Sequence, residues 1–167
     1  MSASFSIDVA LSNEEHTRRV AAILAPALAQ APLPFVIFLS GELGAGKTTL
    51  VRALLRAMGF GGRVKSPTYA LVEVYVISGL NLYHFDFYRL KDPDEWHESG
   101  FRDALTDQAI SLIEWPQKAL GAGVSLPPAD LEIALSMGPS NDARQLRLSA
   151  LSSQAIRLLQ PLASTLK

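Results

Sequence analysis

Between Pro34 and Gly59 the chain runs PFVIFLSGELGAGKTTLVRALLRAMG, which reads as a buried strand, a glycine-rich turn and a helix, in that order. Phe35 to Leu39 is an unbroken apolar run, the pattern of a parallel strand covered on both faces rather than one with a wet side. After the turn, Leu50, Leu54, Ala57 and Met58 recur at helical spacing, while Arg52 and Arg56 point elsewhere and Gly59 stands where a helix ends in a left-handed residue. A strand buried on both faces and followed at once by an amphipathic helix commits the chain to an α/β architecture.

The turn itself, Gly41-Glu42-Leu43-Gly44-Ala45-Gly46-Lys47-Thr48, matches G-x-x-x-x-G-K-[ST] without a mismatch. Gly41, Gly44 and Gly46 let the backbone take angles that a Cβ disfavours, so successive N–H groups can turn inward around an anion. The helix start, with Thr48 and Thr49 in its first turn, adds unsatisfied N–H groups and the positive end of a dipole. Lys47 supplies a point charge for outer phosphates, and the Thr48 hydroxyl is placed to ligate Mg²⁺. A chance glycine turn would not come with that strand before it and that helix behind it.

With 167 residues, 49% of them hydrophobic and 19% charged, one domain with a sizeable core is expected over 1–167. The formal net charge of −1 leaves no electrostatic footprint for nucleic acid, so contact with RNA would require a local patch or a partner protein. There are no cysteines, which excludes disulfides and thiolate metal sites. No signal-peptide pattern and no apolar run of about 20 residues is found. A soluble, cytoplasmic protein with no membrane association is expected.

Along the chain, Phe5, Ile7 and Val9 alternate as a first strand. Ser12-Asn13-Glu14-Glu15 is a capping-box pattern that opens a helix running to about Leu24 or Leu28, with Pro26 limiting its far end and Val20, Ile23, Leu24 and Ala27 facing the core. By spacing alone Thr17, in the first turns, is a surface residue. Gly61-Gly62 is a flexible break, and Lys65-Ser66-Pro67-Thr68-Tyr69 has turn chemistry. Strands follow at Leu71 to Ile77 and Leu80 to Tyr88 around a tight Ser78-Gly79 turn. This hairpin departs from plain βαβ winding and implies a mixed sheet. Asp92 is a cap with Pro93 at the first helical position, and short helical pieces are expected through Trp96 and near Ala104. Ala109 to Ile113 is a further strand leading into Glu114-Trp115-Pro116. Leu131 to Leu135 and Leu146 to Leu148 form a second hairpin, and a helix from about Ser152 to Leu166 is bent by Pro161. The fold expected is a mixed β-sheet flanked by helices, with β-hairpin insertions.

A phosphate loop needs an acidic residue at the end of a neighbouring strand, to hold Mg²⁺ or its water. Two strands end that way, one at Asp86 and one at Glu114, and they fit one metal-binding and one water-orienting carboxylate. Sequence leaves open which does which. His84 reads as a packed or surface histidine before a catalytic one, Arg89 as a phosphate contact or a partner of Asp92 or Asp94, and Trp115 as core or as an aromatic face near a nucleotide. Ser66 and Thr68 are turn residues or part of a loop that senses a γ-phosphate.

The phosphate loop, Ser66-Pro67-Thr68-Tyr69, His84-Phe85-Asp86-Phe87-Tyr88-Arg89 and Ile113-Glu114-Trp115-Pro116, in that order and at this spacing, resemble the TsaE (formerly YjeE) family of bacterial ATPases of tRNA threonylcarbamoyladenosine formation. The likeness covers nearly the whole chain, from the Ser12 helix to the second hairpin. It leaves Pro127 to Asp130 and the C-terminal tail without a signature. The resemblance implies a single P-loop NTPase-like domain that binds ATP through Gly41 to Thr48. It implies Thr48 and Glu114 at Mg²⁺, Asp86 as the other essential acid, and Thr17 and Trp115 near the nucleotide. Residues Ser66 to Tyr69 become a switch-like loop. The implied partner is the TsaB–TsaD heterodimer, with tRNA reached indirectly through that complex; alone, the chain is expected to be a monomer or to self-associate weakly. A small-molecule kinase and a nucleotide-sensing module without productive hydrolysis are the alternatives. A GTPase is disfavoured because no N-K-x-D motif is present.

Overall fold

Alternation along β2 (Phe35–Ser40) defines the layering. Phe35, Ile37 and Leu39 pack into one apolar cluster, whereas Val36 packs into another on the opposite face, so this strand is covered on both sides as its sequence requires. The computed structural model describes residues 4–67, 69–98, 101–106 and 108–167. Strands β1 (Phe5–Leu11), β3 (Val72–Ile77), β4 (Leu80–Asp86), β5 (Ile110–Glu114), β6 (Leu131–Met137) and β7 (Arg144–Ala150) join β2 in one sheet, in the order β1-β7-β6-β2-β5-β4-β3. The central strands β6, β2, β5 and β4 run parallel. The hairpin strands β7 and β3 are antiparallel to β6 and β4, and β1 is antiparallel to β7. The sheet is therefore mixed, with both hairpins where expected.

On one face, α1 (Glu14–Ala29) and α2 (Lys47–Ala57) pack with α6 (Ser153–Leu159) and α7 (Ala163–Leu166) over the larger cluster. Leu50, Val51, Leu54 and Leu55 of α2 are buried there, each worth about 1.5–3 kcal/mol on removal from water. That anchoring fixes where α2 begins, and hence where the glycine-rich turn must sit. The other face holds Phe85, Phe87, Trp96, Leu105, Ile113, Ala119 and Val124, contributed in part by α3 (Pro93–Glu98), α4 (Phe101–Thr106) and α5 (Pro116–Gly121).

Several boundaries differ from the sequence expectation. The cap of α1 is Asn13, whose side chain accepts from the His16 N–H, rather than Ser12. Pro26 does not end α1, which continues to Ala29 with Pro26 on its exposed side. An exposed turn tolerates the missing backbone bond because water can serve the freed carbonyl. The first hairpin begins at Val72, since Leu71 has φ 65°, and β4 stops at Asp86 rather than Tyr88. Asp92 caps α3 by accepting from the Asp94 N–H. Pro161 interrupts the C-terminal helix with a 3₁₀ turn, Gln160–Leu162. Helix α5, with proline at its first position, was not foreseen behind Trp115.

Candidate active site

Strand parity and register build the site. Residues 110, 112 and 114 of β5 point to the α2 side of the sheet, as do 82, 84 and 86 of β4, and the register pairs Asp86 with Glu114. Both acids thus leave the carboxyl ends of parallel strands on the face where α2 starts, the edge at which open α/β sheets bind ligands. Glu114 is 1% exposed and Asp86 6%. The Thr48 hydroxyl, in the first turn of α2, donates to Glu114 at 3.0 Å (Oε1) and 3.2 Å (Oε2).

The glycine-rich turn takes the shape its composition anticipates. Gly44 and Gly46 have φ 82° and 104°, and Gly46 caps α2 in the left-handed region with no side chain to accept from the first-turn N–H groups. By contrast α1 and α6 are capped by the side chains of Asn13 and Ser152. Gly41 is required for a different reason: a Cβ there would lie 2.4 Å from the Leu135 carbonyl oxygen of β6. Lys47 is buried, donating from Nζ to the carbonyls of Gly41 (2.5 Å) and Glu42 (3.0 Å), with Nζ 4.3 Å from the centroid of the Trp115 ring.

Electrostatically the two sides oppose each other. Burial lowers the Lys47 pKa, and the charges of Glu114 and Asp86 partly restore it. Burial raises the Asp86 pKa, Glu114 adds to the rise, and the Tyr88 N–H, donating to Oδ1 at 2.9 Å, works against it. Two acids side by side in a desolvated corner, with a hydroxyl on one of them, are hard oxygen donors of the kind that suit Mg²⁺. No cluster of three or more His, Asp or Glu forms a self-sufficient metal cage among the described residues.

His84 is completely buried and its Nε2 lies 3.2 Å from Glu114 Oε2, while Nδ1 has no partner. An imidazole that donates from Nε2 leaves a bare acceptor at Nδ1, the cheaper of the two groups to leave unpaired in an apolar setting. His84 is thus a packed residue that also fixes the orientation of Glu114.

Two clefts flank the loop. One, of about 460 Å³, is lined by Lys47, Thr48, Ser66, Asp86, Arg89, Glu114 and Trp115. The other, of about 440 Å³, lies between the start of α1 and the β6–β7 turn and is lined by Thr17, Ala45, Thr49, Asn141, Asp142 and Arg144. Thr17 is therefore not the surface residue its spacing suggested: it is 7% exposed and faces the loop. Trp115 is half-buried, in the left-handed region at φ 57°, and meets both the apolar cluster and Lys47. Pro67 is buried and Ser66 exposed at the cleft, while Tyr69 stands out into solvent with the Arg89 guanidinium 5.1 Å from its ring. Glu42 and Leu43 are exposed at the loop's tip, and Thr68 lies outside the described residues. Sequence reading finds the Asn141–Asp142 turn as the bend of the second hairpin but gives neither it nor Arg144 a place at the loop, because nothing local marks a residue as facing a loop a hundred positions away.

The glycine-rich turn at the end of β2, the uncapped start of α2 and the two acids at neighbouring strand ends define a P-loop NTPase-like fold. The same fold recurs in the crystal structure of Bacillus subtilis YdiB, which superposes with a TM-score of 0.76 over 99% of both chains at 24% identity. The family model described as threonylcarbamoyl adenosine biosynthesis protein TsaE matches residues 11–146, and the chain belongs to that family. Among relatives named as tRNA threonylcarbamoyladenosine biosynthesis protein TsaE, that of Haemophilus influenzae is 50% identical over 115 residues, 69% of this chain and 70% of that one. That of Bacillus subtilis is 31% identical over 150 residues, 90% of this chain and 89% of its own. No helix among the described residues is long and apolar enough to cross a membrane.

Proposed function

We propose that this protein binds Mg²⁺–ATP in the loop Gly41 to Thr48, hydrolyses it slowly, and thereby supports a TsaB–TsaD pair in forming threonylcarbamoyladenosine in tRNA. The observation that carries the reading is the hydroxyl–carboxylate contact of Thr48 with Glu114 at the uncapped start of α2, with Lys47 beside it. Family membership supports the pathway, and the named relatives support the tRNA product.

In this mechanism the loop amides and Lys47 hold the outer phosphates, with Nζ turning from the carbonyls of Gly41 and Glu42 toward the anion. Thr48 and one carboxylate would hold Mg²⁺, which when bound spreads the negative charge that develops on the transferring phosphoryl group. In this reading Glu114, steadied by His84, would hold the ion or its water, and Asp86 beside it would orient the attacking water. Arg144 is engaged with backbone carbonyls and the Arg89 guanidinium lies over the Tyr69 ring, so neither is presented as an arginine finger. Fingers contribute about 10³–10⁵ in rate, so slow turnover is expected of the isolated chain, with the partner completing or gating the site.

The test is co-purification with a TsaB–TsaD pair, with and without ATP, followed by ATPase measurement on the chain and on the complex. Nucleotide-dependent association with faster hydrolysis in the complex is expected. Many turnovers per second by the chain alone, or no association, would overturn the reading.

A further inference from the structure

Arg144 opens β7, on the far side of the loop from the carboxylates, and nothing in the mechanism above uses it. Its guanidinium spans two parts of the chain that are distant in sequence. Nε donates to the Ala45 carbonyl at 3.2 Å and an Nη to the Gly44 carbonyl at 3.3 Å, both within the phosphate loop. The other Nη donates to the carbonyls of Asn141 (2.6 Å) and Ala143 (2.8 Å), in the β6–β7 turn. The turn is itself pinned: the Gly138 N–H donates to the Ala143 carbonyl at 2.9 Å, and a Cβ at Gly138 would lie 2.8 Å from the Ala143 carbonyl carbon. The start of the loop is held against β6 as well, by the close approach of Gly41 to Leu135.

The geometry of a trans peptide gives these bonds a consequence. Its C=O and N–H point in opposite directions, so a donor that fixes the carbonyl fixes the amide too. Holding the Ala45 carbonyl outward turns the Gly46 N–H to the other side. Holding the Gly44 carbonyl complements the bond that the Ala45 N–H makes to the Glu42 carbonyl at 3.0 Å. With Gly44 and Gly46 both at positive φ, this loop has glycine freedom and would otherwise lose more backbone entropy on closing around an anion. A delocalised cation with a planar fork is well suited to the task, because it serves several carbonyls at once and stays charged at any working pH.

We propose that Arg144 is a positioning residue that pre-sets the phosphate loop in its anion-binding shape by clamping the Gly44 and Ala45 carbonyls to the β6–β7 turn. The proposal rests on the phosphate-binding reading of the loop, and deepens it by assigning part of the affinity for polyphosphate to a side chain that does not touch it.

The experiment compares Arg144→Gln, Arg144→Lys and a control, Arg147→Gln, whose side chain instead pairs with Asp8. Calorimetric titration with Mg²⁺–ATP and with Mg²⁺–tripolyphosphate is combined with amide hydrogen exchange over residues 44–48 in the ligand-free chain. In Arg144→Gln both affinities are expected to fall by the same factor, about tenfold, the scale of one lost bond from a charged donor. Exchange at 44–48 accelerates, and Arg147→Gln behaves as wild type. Arg144→Lys, which keeps the charge without the fork, weakens both ligands a few-fold and serves alone if the glutamine variant does not fold. Unchanged tripolyphosphate affinity in a folded variant would overturn the proposal, whether ATP binding also survives (a merely structural arginine) or falls (a direct contact to base or sugar). Failure of the underlying reading shows itself separately, as a wild-type chain that binds neither ligand.

Discussion

The two walls of the site are made of different material. On the α2 side the proposed ligand groups are backbone amides and one lysine, held by a turn whose start has no room for a Cβ at Gly41 and whose helix is anchored by Leu50, Leu54 and Leu55. On the β4–β5 side they are carboxylates on rotatable side chains, oriented by a histidine, a threonine and the Tyr88 amide. Backbone amides do not titrate, and those of this loop are held in place by neighbouring structure, so the first wall suits the proposed binding. Carboxylates can change partner and protonation state, so the second suits turnover. On the proposed function, a division of labour between the walls is expected from their chemistry.

Substitutions can break that contrast, and the largest effect belongs to the carboxylate wall. Glu114→Gln keeps the shape but removes the charge. Steady-state ATPase assays of the partner complex should show a loss on the order of 10²–10⁴-fold, with ATP affinity within a few-fold of wild type. Equal losses of affinity and turnover would mean that both walls bind. Next comes Lys47→Ala, expected to weaken Mg²⁺–ATP on the order of 100-fold by calorimetry, the scale of losing charge-assisted bonds. Its circular dichroism spectrum should be unchanged, because Nζ donates to carbonyls of its own loop and holds no secondary-structure element in place. Preserved affinity would remove lysine from the binding wall.

The smallest effect sharpens the contrast through pH. Asp86 has a raised pKa in the ligand-free fold, first from burial and then from Glu114. Its contribution to stability is therefore full below the unfolded aspartate value, about 3.9, and lost as pH rises through the folded value. Asp86→Asn removes the buried charge. Its Tm should exceed that of wild type at neutral pH, and the gap should close as the solution is acidified toward pH 4. A gap that widened on acidification would mean that Asp86 is stabilised as a carboxylate.

The same contrast explains what the sequence made legible. The binding wall is contiguous: Gly41 to Thr48 declares its glycines, lysine and threonine within eight positions, and the strand before and helix after give the fold class. The carboxylates were visible as strand-end acids, but their approach to each other is a property of register, which pairs Asp86 with Glu114 only after β4 and β5 lie side by side. Arg144 reaches the loop across about a hundred residues and left no local sign. Thr17 was misplaced by spacing because one threonine on a polar helical face looks like any other, and only the packing of α1 beside the loop buries it. Helix α5 went unseen because six residues carry too little periodicity to register.

The most direct measurement is a crystal structure of the chain with Mg²⁺ and a non-hydrolysable ATP analogue. The expected result places the β- and γ-phosphates against the amides of residues 44–48, with Lys47 Nζ turned toward them. The ion should sit about 2.1 Å from Thr48 Oγ1, displacing that hydroxyl's bond to Glu114. A nucleotide bound elsewhere, or a Thr48–Glu114 bond left intact beside an empty loop, would contradict it.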